Sequence, residues 1–432
     1  MGRLHCSHAL SGSSLCLLCR DGPLVKILRF SHDYLVNTGG MMAHLQALNA
    51  ALVKISSVEV IQTFLVGTSH MGELEASGQV ERRGQEWIQS DTGIRLFPCM
   101  VPMRSKGRTE MDSEEALASF ERHLEKLLER EQPDLLHVHI VRHWVQVVAL
   151  RVARRHGLPS VLTHHDGMPA KSEMVEILRE ATQLVDRTCA ISGFSASALP
   201  GGPVDYQGFF VDRDFWNPAE VDVDQVQRWR RELAPDTGHR LLVYPARFIP
   251  RKNHAFLIQG IYWLIQRQAI QDSGLVPHLA LPGPTLPERH GYRKSLEAMA
   301  ERLGVAERIS FLGNLAPAAL RSLYAASHVV IYPARNEGAG RCHLEGMLLG
   351  CCAAVANDGG LVEYLQGGVN GITFSPDSIE ELVGGLESLL LSDEFRGRLT
   401  AAGRAVAERL TLGRYARDHV ELYRKLIDEA SP

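Results

Sequence analysis

The sequence predicts an α/β protein made of two doubly wound domains, each a parallel sheet covered by helices. From Leu24 onward, short apolar runs alternate with amphipathic stretches, which is typical of βαβ units. A stretch rich in Gly, Pro and Asp at about 199–220 interrupts the alternation, and a second series then begins, which predicts a linker between two domains. The length of 432 residues also favours two domains over one.

The first domain is predicted at 24–200, after an extension at 1–23. Its first strand is predicted at Leu24–Phe30. A loop with Gly39 and Gly40 follows, and then a helix whose apolar residues between 41 and 52 are spaced by four, three and four positions. Further strands are predicted at Val58–Val66, Leu135–Ile140, Ser160–His164 and Thr188–Ser192, and a helix at Glu114–Arg130.

The linker is predicted at 201–220, the second domain at 221–411, and an amphipathic helix at 412–430. Strands of the second domain are predicted at Leu241–Ala246, Leu279–Pro282, Ile309–Leu312, Val329–Pro333, Ala353–Ala356 and Ile372–Phe374. Its helices are predicted at Ala255–Gln268, Ala318–Ala326 and Glu380–Leu391. Because such sheets bind ligands at the carboxyl ends of their strands, functional residues are expected in loops that follow strands, around a common cleft.

Composition excludes several classes of function. A formal net charge of −4 argues against a nucleic-acid partner, and no apolar run of about twenty residues predicts a transmembrane segment. The eight scattered cysteines favour a reducing cytoplasm. Residues 1–23 are interpreted as a loose, non-catalytic extension, with a zinc site as the alternative because the segment contains His5, Cys6, His8, Cys16 and Cys19.

The most informative stretch is ARNEGAGRCHLEGMLLG, residues 334–350. It follows an apolar strand and leads into an apolar helix. Gly338 and Gly340 allow a ligand to approach the backbone closely, at a helix start where unpaired amides bind phosphate. Glu337 and Glu345 flank these glycines, and their carboxylates suit the hydroxyls of a sugar or ribose. The pattern predicts a site for a sugar phosphate or nucleotide.

This stretch, with the later DGGLVEYLQGGVNGITF, resembles the motif of the family 4 retaining glycosyltransferases, which have the GT-B fold. The resemblance implies that Glu337 contacts the donor sugar, that Glu345 binds the donor ribose, and that the loop amides hold the diphosphate. The donor-binding loop then comprises Gly338, Ala339, Gly340 and Arg341. An aromatic residue is common in the family where this chain has Ala339, and alanine is usual at the position of Gly346.

Three further matches occur in the family's order. In ARFIPRKN, Arg247 and Lys252 match the Arg and Lys that neutralise the departing diphosphate. In TGGMMAHLQAL, Gly39 and Gly40 match the loop that closes over the donor phosphates. In VLTHHD, His165 matches the histidine near the sugar's 6-position and the β-phosphate. The resemblance extends from Leu24 to the C terminus and implies that the final helix returns to the first domain.

The resemblance implies a retaining transfer without a protein base, in which the departing phosphate helps to accept the acceptor's proton. It implies a UDP- or GDP-sugar donor, no metal or other cofactor, and a small-molecule, glycan or lipid-linked acceptor. The histidines around 137–165 lack a carboxylate or cysteine set, and Asp212-Arg213-Asp214 is interpreted as linker. Epimerisation, transfer to sulfur, selenium or phosphate, and donor binding without turnover are the alternative functions.

Overall fold

The computed structural model describes residues 24–32, 34–35, 40–66, 68–84, 86–101, 111–169, 171–201, 204–206, 208–285 and 290–431. The predicted extension at 1–23, with its alternative zinc ligands, and the predicted donor residue Gly39 lie outside these residues. The described chain forms two α/β domains, each built on its own sheet.

In the described residues, the sheet of the first domain has nine strands. Its elements in chain order are β1 (Val25–Phe30), α1 (Gly40–Leu52), β2 (Val58–Val66), α2 (Thr68–Ala76), β3 (Val80–Arg83), β4 (Glu86–Gln89), β5 (Arg95–Met100), α3 (Glu114–Glu131), β6 (Leu135–His139), α4 (Trp144–Arg155), β7 (Ser160–His164), α5 (Ser172–Leu184), β8 (Arg187–Ala190), α6 (Gly193–Ser197) and β9 (Val204–Tyr206). The strand order is β3-β4-β5-β2-β1-β6-β7-β8-β9. Among these described strands, the pairs β3–β4 and β4–β5 are antiparallel and the others are parallel.

The described part of the second domain has a sheet of six strands, and all their pairings are parallel. Its elements in chain order are α7 (Val223–Leu233), β10 (His239–Val243), α8 (His254–Ile265), α9 (Gln268–Ser273), β11 (Val276–Pro282), α10 (His290–Arg302), β12 (Ile309–Gly313), α11 (Pro317–Ala326), β13 (Val329–Tyr332), α12 (Cys342–Leu348), β14 (Cys352–Ala356), β15 (Ile372–Phe374), α13 (Ile379–Leu391) and α14 (Asp393–Ala407). The strand order is β12-β11-β10-β13-β14-β15. The parallel strands are buried almost throughout, which explains their continuous apolar runs.

The last helix, α15 (Leu412–Ala430), belongs to the first domain by packing. Tyr415, Val420 and Tyr423 are buried in the core formed by α1 and one face of the first sheet. The Tyr423 hydroxyl also lies 2.6 Å from His137 Nδ1 on β6. Helix α15 therefore packs on the first domain, although it follows the second domain in the chain.

Three parts of the first sheet were not predicted: the hairpin β3–β4, strand β5 and strand β9. The hairpin β3–β4 consists of two four-residue strands with polar, partly exposed sequences, VERR and EWIQ, so it lacks the apolar run that marks the parallel strands. Strand β9 pairs with β8 at Val204–Tyr206, inside the range assigned to the linker. The sheet of the first domain thus continues beyond residue 200, because three residues of this Gly- and Pro-rich stretch complete its edge.

Candidate functional site

A buried carboxylate, Glu337, is the centre of the polar cleft where loops of the two sheets meet. Its Oε1 accepts hydrogen bonds from Lys252 Nζ and from Arg251 Nη1, both at 2.5 Å. Lys252 Nζ also donates to the Tyr332 hydroxyl at 2.8 Å. Charge-assisted bonds of this kind are stronger than neutral ones. Two cations are therefore held at the end of β13 by one carboxylate.

The backbone turns sharply beside both Lys252 and Glu337, in the loops that follow β10 and β13. Lys252 ends a short 3₁₀ turn, and its carbonyl accepts from the Tyr244 hydroxyl at 2.9 Å. The next residue, Asn253, has a φ of 56° and starts α8. Asn336, immediately before Glu337, also has a positive φ of 52°, a conformation that asparagine tolerates better than most residues. The two turns direct Lys252 and Glu337 toward each other.

Arg247 lies half-buried on the same loop as Lys252. Burial lowers the pKa of its guanidinium, and the nearby positive charges of Arg142 and Arg251 lower it further, while Glu337 acts in the opposite direction. Among the described residues no carboxylate forms an ion pair with Arg247. Arg247 therefore adds a positive charge that makes no direct contact with any carboxylate of the described chain, next to the pair formed by Lys252 and Glu337.

Glu345 lies on α12 and contacts Arg341, another of the predicted donor residues. Its Oε1 lies 3.1 Å from Arg341 Nη2, and its Oε2 accepts from the Tyr324 hydroxyl at 3.2 Å. Burial raises the pKa of this carboxyl. Arg341 also donates from Nη1 to the carbonyl of Gly40 at 2.9 Å, so the structure brings Gly40, Arg341 and Glu345 together across the two domains.

The glycine loop packs directly against the first domain. A Cβ on Gly338 would lie 2.5 Å from the His165 carbonyl oxygen and 2.9 Å from Ser195 Oγ, so only glycine fits there. Ser192 Oγ donates to the Gly338 carbonyl. Gly340 has a φ of 72°, which favours glycine, and Ala339 is buried. The glycine loop therefore forms part of the contact between the two domains.

Further hydrogen bonds hold the two domains in contact beside this loop. Asn336 accepts from the Met168 amide at 2.7 Å and donates to the Met168 carbonyl at 2.9 Å. The Phe194 amide donates to Glu363 Oε1 at 3.0 Å. Residues of the first domain thus contact the loops after β13 and β14.

His165 follows β7 and is buried. Its Nε2 lies 3.1 Å from His139 Nδ1, and its ring meets that of His44 edge-on, with centroids 5.5 Å apart. Burial lowers the pKa of His165 to about 3. The imidazole is therefore neutral at physiological pH.

The sequence did not identify Arg251, Tyr332 or the pair Arg142–Asp166 as part of the site. Arg142 Nε donates to Asp166 Oδ2 at 2.5 Å. Burial alone raises the pKa of Asp166, but hydrogen bonds from Arg142 lower it to about 2. Arg251 stands beside Lys252 in the motif ARFIPRKN, and this position could have marked it as a site residue. The spacing in the sequence does not show which of Arg247, Arg251 and Lys252 contacts Glu337.

The predicted linker motif at 212–214 acts in a turn. Asp212 Oδ1 accepts from the amides of Asp214, at 3.2 Å, and Phe215, at 3.1 Å, and Arg213 donates to the carbonyl of Glu408 at 2.9 Å. In the part of the chain that the structure describes, no three His, Cys, Asp or Glu side chains are grouped closely enough to hold a metal ion. No helix within the described ranges combines the length and apolar character needed to cross a membrane.

Two family models match the chain, one in each domain. The model described as Glycosyltransferase Family 4 matches residues 92–202, and the model described as Glycosyl transferases group 1 matches residues 225–406. The first match covers part of the domain that carries His165, and the second covers the loops of Arg247, Lys252, Glu337 and Glu345.

Similar proteins extend the comparison. An uncharacterized glycosyltransferase of Methanocaldococcus jannaschii is 25% identical over 48% of this chain, and the chain spans about half, 52%, of that relative's length. A D-inositol 3-phosphate glycosyltransferase of Frankia alni is 26% identical over 69% of this chain and 75% of its own length. The crystal structure of Anabaena HepE in complex with UDP and glucose superposes with a TM-score of 0.71 at 19% identity, covering 93% of this chain and 100% of that one.

Proposed function

The chain belongs to the family 4 glycosyltransferases and has the GT-B fold, and on this premise we propose that it transfers a sugar from a nucleoside diphosphate donor to an acceptor with retention of anomeric configuration. The observation that carries the proposal is the cluster of Arg247, Arg251 and Lys252 around Glu337 at the junction of the two domains. Cleavage of a donor's anomeric bond leaves a dianionic nucleotide and an oxocarbenium-like sugar. A preorganised cluster of positive charges stabilises such a leaving group electrostatically.

Arg247 and Lys252 are assigned to the departing diphosphate. Lys252 is held by Glu337 and Tyr332, so its ammonium is oriented before the donor binds. Preorganised charges of this kind need little rearrangement as the reaction proceeds. Glu337 is assigned to hydroxyls of the transferred sugar, because it sits between these cations and the loop that contacts His165.

Glu345 is assigned to the donor ribose, and the loop of Gly338, Ala339, Gly340 and Arg341 to the diphosphate. His165 is assigned to the sugar's 6-position and the β-phosphate. Retention follows if the acceptor attacks from the side of the leaving group, with the departing phosphate accepting the acceptor's proton. No metal or cofactor takes part in this scheme. Gly39 completes the phosphate loop only by the sequence resemblance.

The donor class is a UDP- or GDP-sugar, and the acceptor a small molecule, a glycan or a lipid-linked sugar. HepE, which shares the fold, was crystallised with UDP and with UDP-glucose, and one similar protein is named a GDP-mannose-dependent mannosyltransferase. The reaction is placed in the cytoplasm, which suits the five unpaired cysteines in the described part of the chain.

The test measures release of nucleotide from a panel of UDP- and GDP-sugars, with EDTA present and with water as the default acceptor. Release with one donor, lost in Lys252→Ala and kept in the surface variant Lys54→Ala, supports transfer. Product from an added acceptor is then examined by proton NMR for the anomeric configuration. Tight donor binding without release for every donor would indicate a binding protein, and an inverted product would overturn retention.

A further inference from the structure

A buried arginine in the first domain connects to the site through two histidines. Arg29, on β1, is 1% exposed, and its Nη2 contacts His139 Nε2. His139 in turn lies 3.1 Å from His165. We propose that Arg29, acting through His139, fixes the proton of His165 on Nδ1, so that His165 serves the bound donor as a hydrogen-bond donor and not as a base. The role of His165 toward the donor rests on the proposed function, whereas the tautomer does not.

The first step follows from the chemistry of arginine. A guanidinium has only donors and is not deprotonated in proteins, so His139 Nε2 must accept the hydrogen bond from Arg29. A histidinium ring has protons on both nitrogens and cannot accept. His139 is therefore neutral, with its proton on Nδ1. Burial and the neighbouring positive charge of Arg29 both lower the pKa of His139, which agrees with this assignment.

The second step transfers the same constraint to His165. Because His139 Nδ1 carries a proton, it donates to His165 Nε2, which must be unprotonated. His165 is neutral for the reason given above, so its single proton lies on Nδ1. Within the described residues, no side chain or carbonyl accepts a hydrogen bond from that atom. The Nδ1–H group therefore suits an oxygen acceptor such as a sugar hydroxyl or a phosphate oxygen, and the ring has no free lone pair to act as a base.

Burying the guanidinium of Arg29 at this position costs free energy. Among the described residues it has no carboxylate partner, and its Nε has no hydrogen bond. Its Nη1 donates to Asn49 Oδ1, which is neutral. A buried guanidinium without an acid is costly compared with an apolar side chain of similar volume. The cost is explained if the residue supplies a donor that cannot reverse its direction, which neither a neutral amide nor a histidine can do.

The experiment is nitrogen-15 NMR of histidine-labelled, ligand-free full chain, with His165 assigned by comparison with His165→Gln. We expect the Nδ1–H form of His165 in the wild type. Arg29→Met removes the obligatory donor, so His165 should become a mixture of tautomers. Arg29→Lys keeps a donor-only cation and should restore the Nδ1–H form. Gln62→Met is the matched control, because Gln62 bonds to Asn49 and Thr63 in the same buried network but not to either histidine.

An Nε2–H form of His165 in the wild type would overturn the proposal, and so would an unchanged tautomer in Arg29→Met. If Arg29→Met does not fold, the wild type and Arg29→Lys decide. Nucleotide release is measured on the same samples. The wrong tautomer with normal release would reject the relay and leave the proposed function intact, whereas the expected tautomer with no release from any donor would reject the function and leave the relay intact.

Discussion

Arg341 of the second domain joins the carbonyl of Gly40 in the first domain to the carboxylate of Glu345, at 2.9 Å and 3.1 Å respectively. One side chain thus connects the start of α1, the glycine loop and the residue assigned to the donor ribose. Arg341 therefore places the carboxylate of Glu345 in a network that spans the contact between the two domains.

Arg341→Met should destabilise the protein by about 3 kcal/mol, because it leaves Glu345 buried without its partner. The free energy of unfolding is measured by urea denaturation. The double variant Arg341→Met/Glu345→Gln removes the charge as well, so its loss should be smaller than the sum of the two single losses. Additive losses would show that the two side chains are not coupled.

Arg247→Met and Lys252→Met should each lower kcat by about 100- to 1000-fold if both cations act on the departing diphosphate. Their effects on folding should differ. Lys252 bonds to Glu337 and Tyr332, so its loss should cost about 1–3 kcal/mol of stability, whereas Arg247 has no ion-pair partner in the described chain. Wild-type turnover in either variant, measured at saturating donor, would reject that residue's assignment.

Glu345→Gln and Glu337→Gln should change different kinetic constants. The ribose hydroxyls do not change during reaction, so loss of Glu345 should chiefly raise the donor KM. The transferred sugar flattens at its anomeric carbon, so loss of Glu337 should chiefly lower kcat. Steady-state kinetics with varied donor separate the two constants. The same pattern in both variants, or loss of turnover in Glu345→Gln at saturating donor, would contradict this division of roles.

Acid should destabilise the fold through its buried histidines. Burial lowers the pKa of His165, His254 and His419 from 6.5 to about 3. Between these values the unfolded chain binds a proton that the folded chain does not, so the free energy of unfolding falls as the pH drops below about 6.5. Each histidine contributes about 1 kcal/mol per pH unit. His254→Phe should reduce the slope between pH 6 and 4, measured by urea denaturation, by one such contribution, and an unchanged slope would assign the proton uptake to other groups.

The sequence by itself determined the two-domain α/β organisation, the parallel strands, the loops that carry Lys252 and Glu337, and the helix that carries Glu345. These features are local. A buried parallel strand has a continuous apolar run, and a glycine loop before a helix has a recognisable order of residues. The predicted bounds of β2, β7 and β15 agree with the structure. The hairpin β3–β4 and strands β5 and β9 were not predicted. The hairpin strands and β9 are short and polar, and Pro98 interrupts the apolar residues of β5, so none of them shows this pattern.

Only the tertiary structure decided which side chains meet. Arg251 and Lys252, but not Arg247, contact Glu337, and that choice depends on the two turns that precede α8 and α12. Arg29 reaches His139 across 110 positions of sequence, and Gly338 meets the His165 carbonyl across the domain boundary. Hydrophobic periodicity specifies which face of a strand or helix is buried, but hydrogen bonds between distant loops depend on how the sheets and domains pack. The tautomer of His165 is therefore a property of the folded protein alone.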